Sequence, residues 1–231
     1  MTAHPLRQLI KCACALLLTS SLLLAHGVDG YYRYPALHGE TIVFSAEGDL
    51  WTVPITGGLA RRLTTHLGEE THPRISPDGK TLAFSASYEG PTEVYTMPLE
   101  GGLPERITYE ADTSTCTTWT PQGEVVYTTR HFSTLPDLQL VAIDRETRTV
   151  RRLPLSQAAE ASFDDSGKNV FFVRPTDHGN VTKRYTGGTA RQIWRFTEGD
   201  SEAVKLTTDH RGESHHPMWW NERVYFITDR D

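Results

Sequence analysis

Short apolar runs alternate with tight polar turns along this chain, and the alternation recurs. "HPRISPDGKTLAFSA" from His72, "CTTWTPQGEVVYTT" from Cys116, "EASFDDSGKNVFFVR" from Glu160 and "HPMWWNERVYFITD" from His216 each hold a short run, a turn and a second β-rich run. Third runs stand at Asp49–Pro54, Glu93–Pro98, Leu138–Ile143 and Gln192–Thr197. Most units close with a fourth: "ARRLT", "PERIT", "VRRLP" and "AVKLT". The second runs centre on Val43, Ala83, Val126, Phe171 and Tyr225, so the repeat length is 40 to 54 residues. Four short strands per unit at that period predict the blades of a β-propeller.

The expected fold is therefore all-β. Four four-stranded blades fall at about 34–65, 72–108, 115–153 and 159–207, and a fifth starts at 215–231. The strand after each turn alternates or is wholly apolar, as "TLAFSA" and "NVFFV" show, which suits central strands covered on both faces. Ser76-Pro77-Asp78-Gly79 is a turn with a mechanism: Pro presets φ, Asp bonds nearby backbone and Gly accepts positive φ. Thr120-Pro121-Gln122-Gly123 and Asp164-Asp165-Ser166-Gly167 are its relatives. Blade four carries a long insertion between its second and third runs, Pro175 to Arg191. Propellers have four to eight blades. A chain stopping at Asp231, inside a fifth, is expected to be part of a larger ring.

The N-terminus is of another kind. Arg7 and Lys11 precede an almost unbroken apolar run from Cys12 to Leu24, and Ala25-His26-Gly27 offers small residues at a cleavage site. Residues 1–27 are expected to be a secretory signal peptide, with export to the periplasm or the extracellular space. Its loss takes two basic groups and no acidic one, moving the net charge from −6 to −8. Such an acidic body argues against nucleic acid or an anionic membrane as partner. Cys116 is then the remaining cysteine, which leaves no intrachain disulfide.

"PALHGETIVFSAEGDLWTVPITGGLARRLT", followed by "EETHPRISPDGKTLAFSASYEGPTEVYTMPLEGGLPERIT", closely resembles the N-terminal six-bladed propeller of tricorn proteases. "KRYTGGTARQIW" from Lys183 and "RVYFITDRD" from Arg223 resemble two further signatures of that family, in the expected order. The resemblance spans Tyr31 to Asp231. It implies a large multidomain serine peptidase in which a second propeller, a PDZ module and a catalytic domain follow. It implies six blades in the complete ring and a non-catalytic role as gate or conduit for peptides or unfolded polypeptide. Homo-oligomerisation of the full-length protein is left open. Two rivals stand beside it: a TolB-type periplasmic protein-binding propeller, and a metal-dependent propeller lyase.

No catalytic residue and no cofactor are assigned here, since neither G-x-S-x-G nor H-E-x-x-H occurs. The unusual chemistry is a repeated octet. His66-Leu67-Gly68-Glu69-Glu70-Thr71-His72-Pro73 matches His210-Arg211-Gly212-Glu213-Ser214-His215-His216-Pro217. Both lie where one blade passes to the inner strand of the next. This makes Glu69, Glu70, His72, Glu213 and His216 candidates for a channel mouth. His72, His215 and His216 are candidate metal ligands, imidazole and carboxylate being suited to divalent metals. The competing reading is a loop whose polar groups satisfy backbone. Lys183, Arg184, Tyr185 and Arg191 of the insertion are candidates for contact with a peptide carboxylate or a neighbouring domain.

Overall fold

A computed structural model describes residues 30–174 and 184–230. The signal peptide expected at 1–27 and Lys183 of the insertion lie outside the described residues. Among the described residues there is no α-helix, and none is long and apolar enough to cross a membrane.

Tyr32–Asp231 forms one compact unit. Its described residues form four four-stranded antiparallel sheets and a hairpin. Sheet one joins β1 (Arg33–His38), β2 (Thr41–Ala46), β3 (Asp49–Pro54) and β4 (Arg61–Arg62) in chain order. Sheet two joins β5 (Glu70–Ile75), β6 (Thr81–Ala86), β7 (Glu93–Pro98) and β8 (Glu105–Arg106). Sheet three joins β9 (Thr115–Trp119), β10 (Val125–Thr129), β11 (Gln139–Ile143) and β12 (Val150–Arg152). Sheet four joins β13 (Glu160–Phe163), β14 (Asn169–Val173), β15 (Trp194–Thr197) and β16 (Val204–Lys205). The hairpin is β17 (Ser214–Trp220) with β18 (Arg223–Thr228).

The core is a series of layers between blades. Successive side chains of a strand point to opposite faces. Leu82 and Phe84 accordingly pack with Val43 and Leu50 of blade one, while Ala83 between them packs with Val125 and Tyr127 of blade three. Val126 faces the other way, onto Val170 and Phe172 of blade four. A middle strand buried on both faces takes apolar residues or polar ones with a partner, so β6 reads Leu-Ala-Phe at its centre, and the buried Ser85 Oγ accepts from Cys116 N at 2.7 Å. Each fully buried Leu, Val or Phe contributes about 1.5–3 kcal/mol. Phe171 of blade four stacks on Trp219 of the hairpin, with ring centroids 5.4 Å apart and planes 6° apart.

The turns follow their chemistry. In the first, Ser76 Oγ accepts from Thr81 N at 2.9 Å, and Asp78 Oδ1 accepts from Lys80 N at 3.1 Å. Gly79 takes φ +71°, and a methyl group there would lie 2.7 Å from His38 Nε2. Thr120 Oγ1 and Asp164 Oδ1 accept from Glu124 N and Asn169 N in the equivalent places, at 3.0 and 3.1 Å.

β1, β5, β9, β13 and β17 neighbour one another in sequence order, so the first strand of each blade is its inner strand. That places the segments from His72, Cys116, Glu160 and His216 side by side.

Candidate functional site on the inner strands

Three inner strands share a device. Tyr34-Pro35, His72-Pro73 and His216-Pro217 each interrupt the pairing register of their strand. Proline cannot donate to the ladder, so it belongs at such a bulge. The residue before it takes a left-handed backbone: φ is 52° at Tyr34, 51° at His72 and 53° at His216. Non-glycine residues there cost about 1–2 kcal/mol each. β9 shifts register at Thr117 without a proline, and Cys116 folds into the blade core instead. Burial pushes that thiol up to about 12, so it is neutral and inert. β13 pairs without a shift, and Glu160 is its first residue.

Between β5, β9, β13 and β17 lies a cavity of about 200 Å³, lined by His72, Arg74, Thr118, Glu160, Ser162 and His216 among others. Arg74 is tied down on one side: its Nε donates to Thr117 O at 2.6 Å and its Nη1 to Pro73 O at 2.8 Å. The His72 ring packs on Tyr34, with centroids 4.0 Å apart, and its Nδ1 is buried without a hydrogen-bond partner. Burial first, then the charges of Arg74, His216 and Arg33, lower His72 to about 4. It is a neutral imidazole at neutral pH.

That shift carries a sign. The unfolded chain protonates this imidazole near 6.5 and the folded chain near 4. The folded state binds fewer protons between those values. Its stability contribution is therefore complete above about 6.5 and is lost as pH falls towards 4, about 3 kcal/mol in all. Urea midpoints measured across that window should fall less in His72→Gln than in the parent chain. Equal slopes would refute the assignment.

The second octet forms a denser cluster. His215 Nδ1 and His216 Nδ1 lie 2.5 Å apart, and His216 Nδ1 is 3.6 Å from Glu160 Oε1. The backbone N–H of His216 donates to Glu160 Oε2 at 2.5 Å. Arg191 donates from Nε to Glu213 Oε2 at 2.7 Å, and its Nη1 stands 3.7 Å from Glu160 Oε1. Burial, and then Arg191 and His216, lower the pKa of His215.

The remaining candidates separate. Glu69 is exposed and pairs with Arg33 at 2.7 Å. Glu70 is fully buried, where it accepts from Leu50 N at 3.1 Å, from Tyr88 OH at 2.5 Å and from the Thr64 hydroxyl, so it joins blades one and two rather than facing the cavity. Glu213 and Arg191 fasten the joint between blades four and five. Arg184 has φ 58°, and Tyr185 OH accepts from Thr189 Oγ1 at 3.0 Å; neither residue lines the cavity.

Two features carry no individual signal in the sequence. Glu160 opens a segment singled out as a strand, yet it supplies the carboxylate beside the histidines. Thr64, Thr108 and Thr207 follow the fourth strands and accept from Leu50 N, Val94 N and Ile193 N at 2.9, 2.8 and 3.2 Å. Their recurrence in "RLT", "RIT" and "KLT" is the clue that could have found them.

Inner strands around an axial cavity, carried by stacked four-stranded sheets, define a β-propeller. Residues 29–231 match the family model described as the tricorn protease N-terminal β-propeller domain, and the chain belongs to that family. It is 32% identical over 204 residues to tricorn protease homolog 1 of Streptomyces coelicolor, covering 87% of this chain and 19% of that protein. It is 28% identical over 214 residues to the tricorn protease of Thermoplasma acidophilum, covering 85% of this chain and 19% of that one. The chain thus spans about a fifth of the length of these relatives. Among solved structures it superposes on a crystal structure of tricorn protease with a TM-score of 0.76, at 24% identity, covering 87% of this chain and 20% of that one. A putative TolB from Agrobacterium tumefaciens shares the fold, with a TM-score of 0.66 at 20% identity over 82% of this chain and 66% of that one.

Proposed function

We propose that this chain is the N-terminal propeller of an exported tricorn-like serine peptidase, and that it gates or conducts peptides without catalysing their hydrolysis. The supporting observation is the polar cavity on the inner strands, where His72, Arg74, Glu160 and His216 present donors and acceptors to an extended backbone. The catalytic Ser/His machinery, a second propeller and a PDZ module would be supplied by further parts of the same protein, and its full-length form would be a homo-oligomer. Peptide hydrolysis needs an activated nucleophile, a base within reach and an oxyanion site. The hydroxyl and imidazole groups of this cavity are arranged as lining: His72 Nδ1 has no hydroxyl partner, and His216 faces a carboxylate and another imidazole.

The reading is tested on the full-length gene product. His72→Ala and His216→Ala should slow turnover of long peptides several-fold and leave short chromogenic substrates less affected, because short substrates need less guidance. Equal effects on both classes would remove the gate. The 231-residue chain alone should hydrolyse neither class. Hydrolysis by it, abolished by a serine-directed inhibitor, would overturn the division of roles. N-terminal sequencing of protein from a bacterial host should give a start near Val28, and recovery of intact Met1 in the cytoplasm would count against export. A TolB-type binding role would instead show as a stable protein complex with no dependent peptidase activity.

A further inference from the structure

We propose that Glu160, His215 and His216 form a site for a divalent transition-metal ion of the zinc class, bridging the inner strands of blades four and five. One ligand atom from each lies within 4.8 Å of the others. Consecutive residues of a regular strand point to opposite faces. His215 and His216 do not, because the bulge and the left-handed backbone at His216 turn both imidazoles to one side, with ring centroids 4.7 Å apart. The equivalent bulge of blade two has Thr71 where His215 stands, so that bulge offers one imidazole and the bulge of blade five offers two.

Two imidazoles and one carboxylate, with a further position open, are a donor set that zinc accepts. Zinc–nitrogen bonds of about 2.0–2.1 Å in tetrahedral geometry hold two nitrogens about 3.3–3.4 Å apart. The Nδ1 atoms now 2.5 Å apart would part by under ~1 Å, a small rotation of two rings. The Glu160 Oε1 to His216 Nδ1 distance of 3.6 Å already fits such a shell. The other Glu160 oxygen accepts the His216 N–H, which fixes the carboxylate as outer hydrogen bonds fix metal ligands elsewhere. Arg191 is the competing cation at 3.7 Å, but its shorter bond is to Glu213 at 2.7 Å. Glu160 and His216 line the 200 Å³ cavity, so the open position faces that space, which His72 shares. The site rests on three side chains and stands whether or not the propeller gates peptides.

Calorimetric titration of the full chain with Zn2+ should show one saturable site. Co2+ in its place should give the visible absorption of a low-symmetry nitrogen–oxygen shell. Glu160→Gln and His215→Ala should each weaken binding by at least about 10-fold, while His131→Ala, in an exposed loop, should not. Zn2+ should raise the melting temperature of the parent chain and not of the two site variants. If a variant fails to fold, the parent titration and the Co2+ spectrum decide. No saturable binding by the parent, or binding unchanged in both site variants, overturns the proposal.

Discussion

Glu93→Ala should destabilise the protein by about 3–5 kcal/mol, the cost of breaking a buried pair by removing one partner. The Glu93 carboxylate is fully buried at the start of β7 and serves three donors at once. Arg106 Nη2 donates to Oε1 at 2.8 Å, Thr108 Oγ1 to Oε2 at 2.5 Å, and the backbone N–H of Ala111 to Oε1 at 3.1 Å. The last bond holds Ala111 in a left-handed backbone, φ 55°, just before the next inner strand. Truncation leaves the mostly buried Arg106 with the exposed Glu89 as its remaining carboxylate, beside its Nε bond to Thr108 O, and strips acceptors from the Thr108 hydroxyl and Ala111 N. Blade one supplies the contrast. Asp49 occupies the same place, but its Arg62 is half exposed and its own Oδ1 is buried without a partner. Asp49→Ala therefore removes one weak pair and one unsatisfied atom together, and should cost about 1 kcal/mol or less. Denaturant unfolding of the two variants beside the parent checks both values. Equal losses at the two sites would show that burial of the arginine does not decide the outcome.

Much of this fold is legible in the sequence because local signals agree. Asp49–Pro54 and Glu93–Pro98 were readable to the residue, since an apolar run, a Gly-Gly turn and a recurrent position all mark the same bounds. Gln192–Thr197 is shorter at its start. Pairing with β14 begins at Trp194, opposite Phe172, while the Gln192 side chain reaches Gly212 O in the approach to the next blade. The bulges were half legible. Tyr-Pro, His-Pro and His-Pro stand in the sequence, but the left-handed backbone that points His216 alongside His215 is a consequence of pairing with β18. The candidate site was the least legible part. Glu160 meets His216 across 56 residues, a contact set by blade stacking and not by any spacing within the chain. Glu69 and Glu70 look alike in sequence; one is exposed and the other fully buried, because β5 begins at Glu70 and its first side chain turns into the layer against blade one.

Glu70 therefore supports a prediction opposite in sign to that of His72. Burial dominates its environment and raises its pKa above the ordinary glutamate value, against the opposing hydrogen bonds from Thr64, Tyr88 and Leu50 N. The folded state keeps this proton to higher pH than the unfolded chain does. The contribution of Glu70 is complete below the unfolded value of about 4.5 and declines as pH rises through the raised folded value. Glu70→Gln is neutral at every pH, nearly isosteric, and able to keep partners because the Thr64 and Tyr88 hydroxyls can turn to donate or accept. Its stability relative to the parent should rise as pH is taken from about 4.5 to 8, by about 1.4 kcal/mol for each unit by which the folded pKa exceeds the unfolded one. Glu70→Ala should share that slope, since it too lacks the titrating group, but start about 3 kcal/mol or more below the parent at pH 4.5, because it empties a side-chain volume and leaves Tyr88 OH and Thr64 Oγ1 without their acceptor. Urea unfolding at several pH values separates the cases. A Gln variant that tracks the parent at all pH values would mean that the buried carboxylate stays charged, held by its three donors more strongly than burial opposes it.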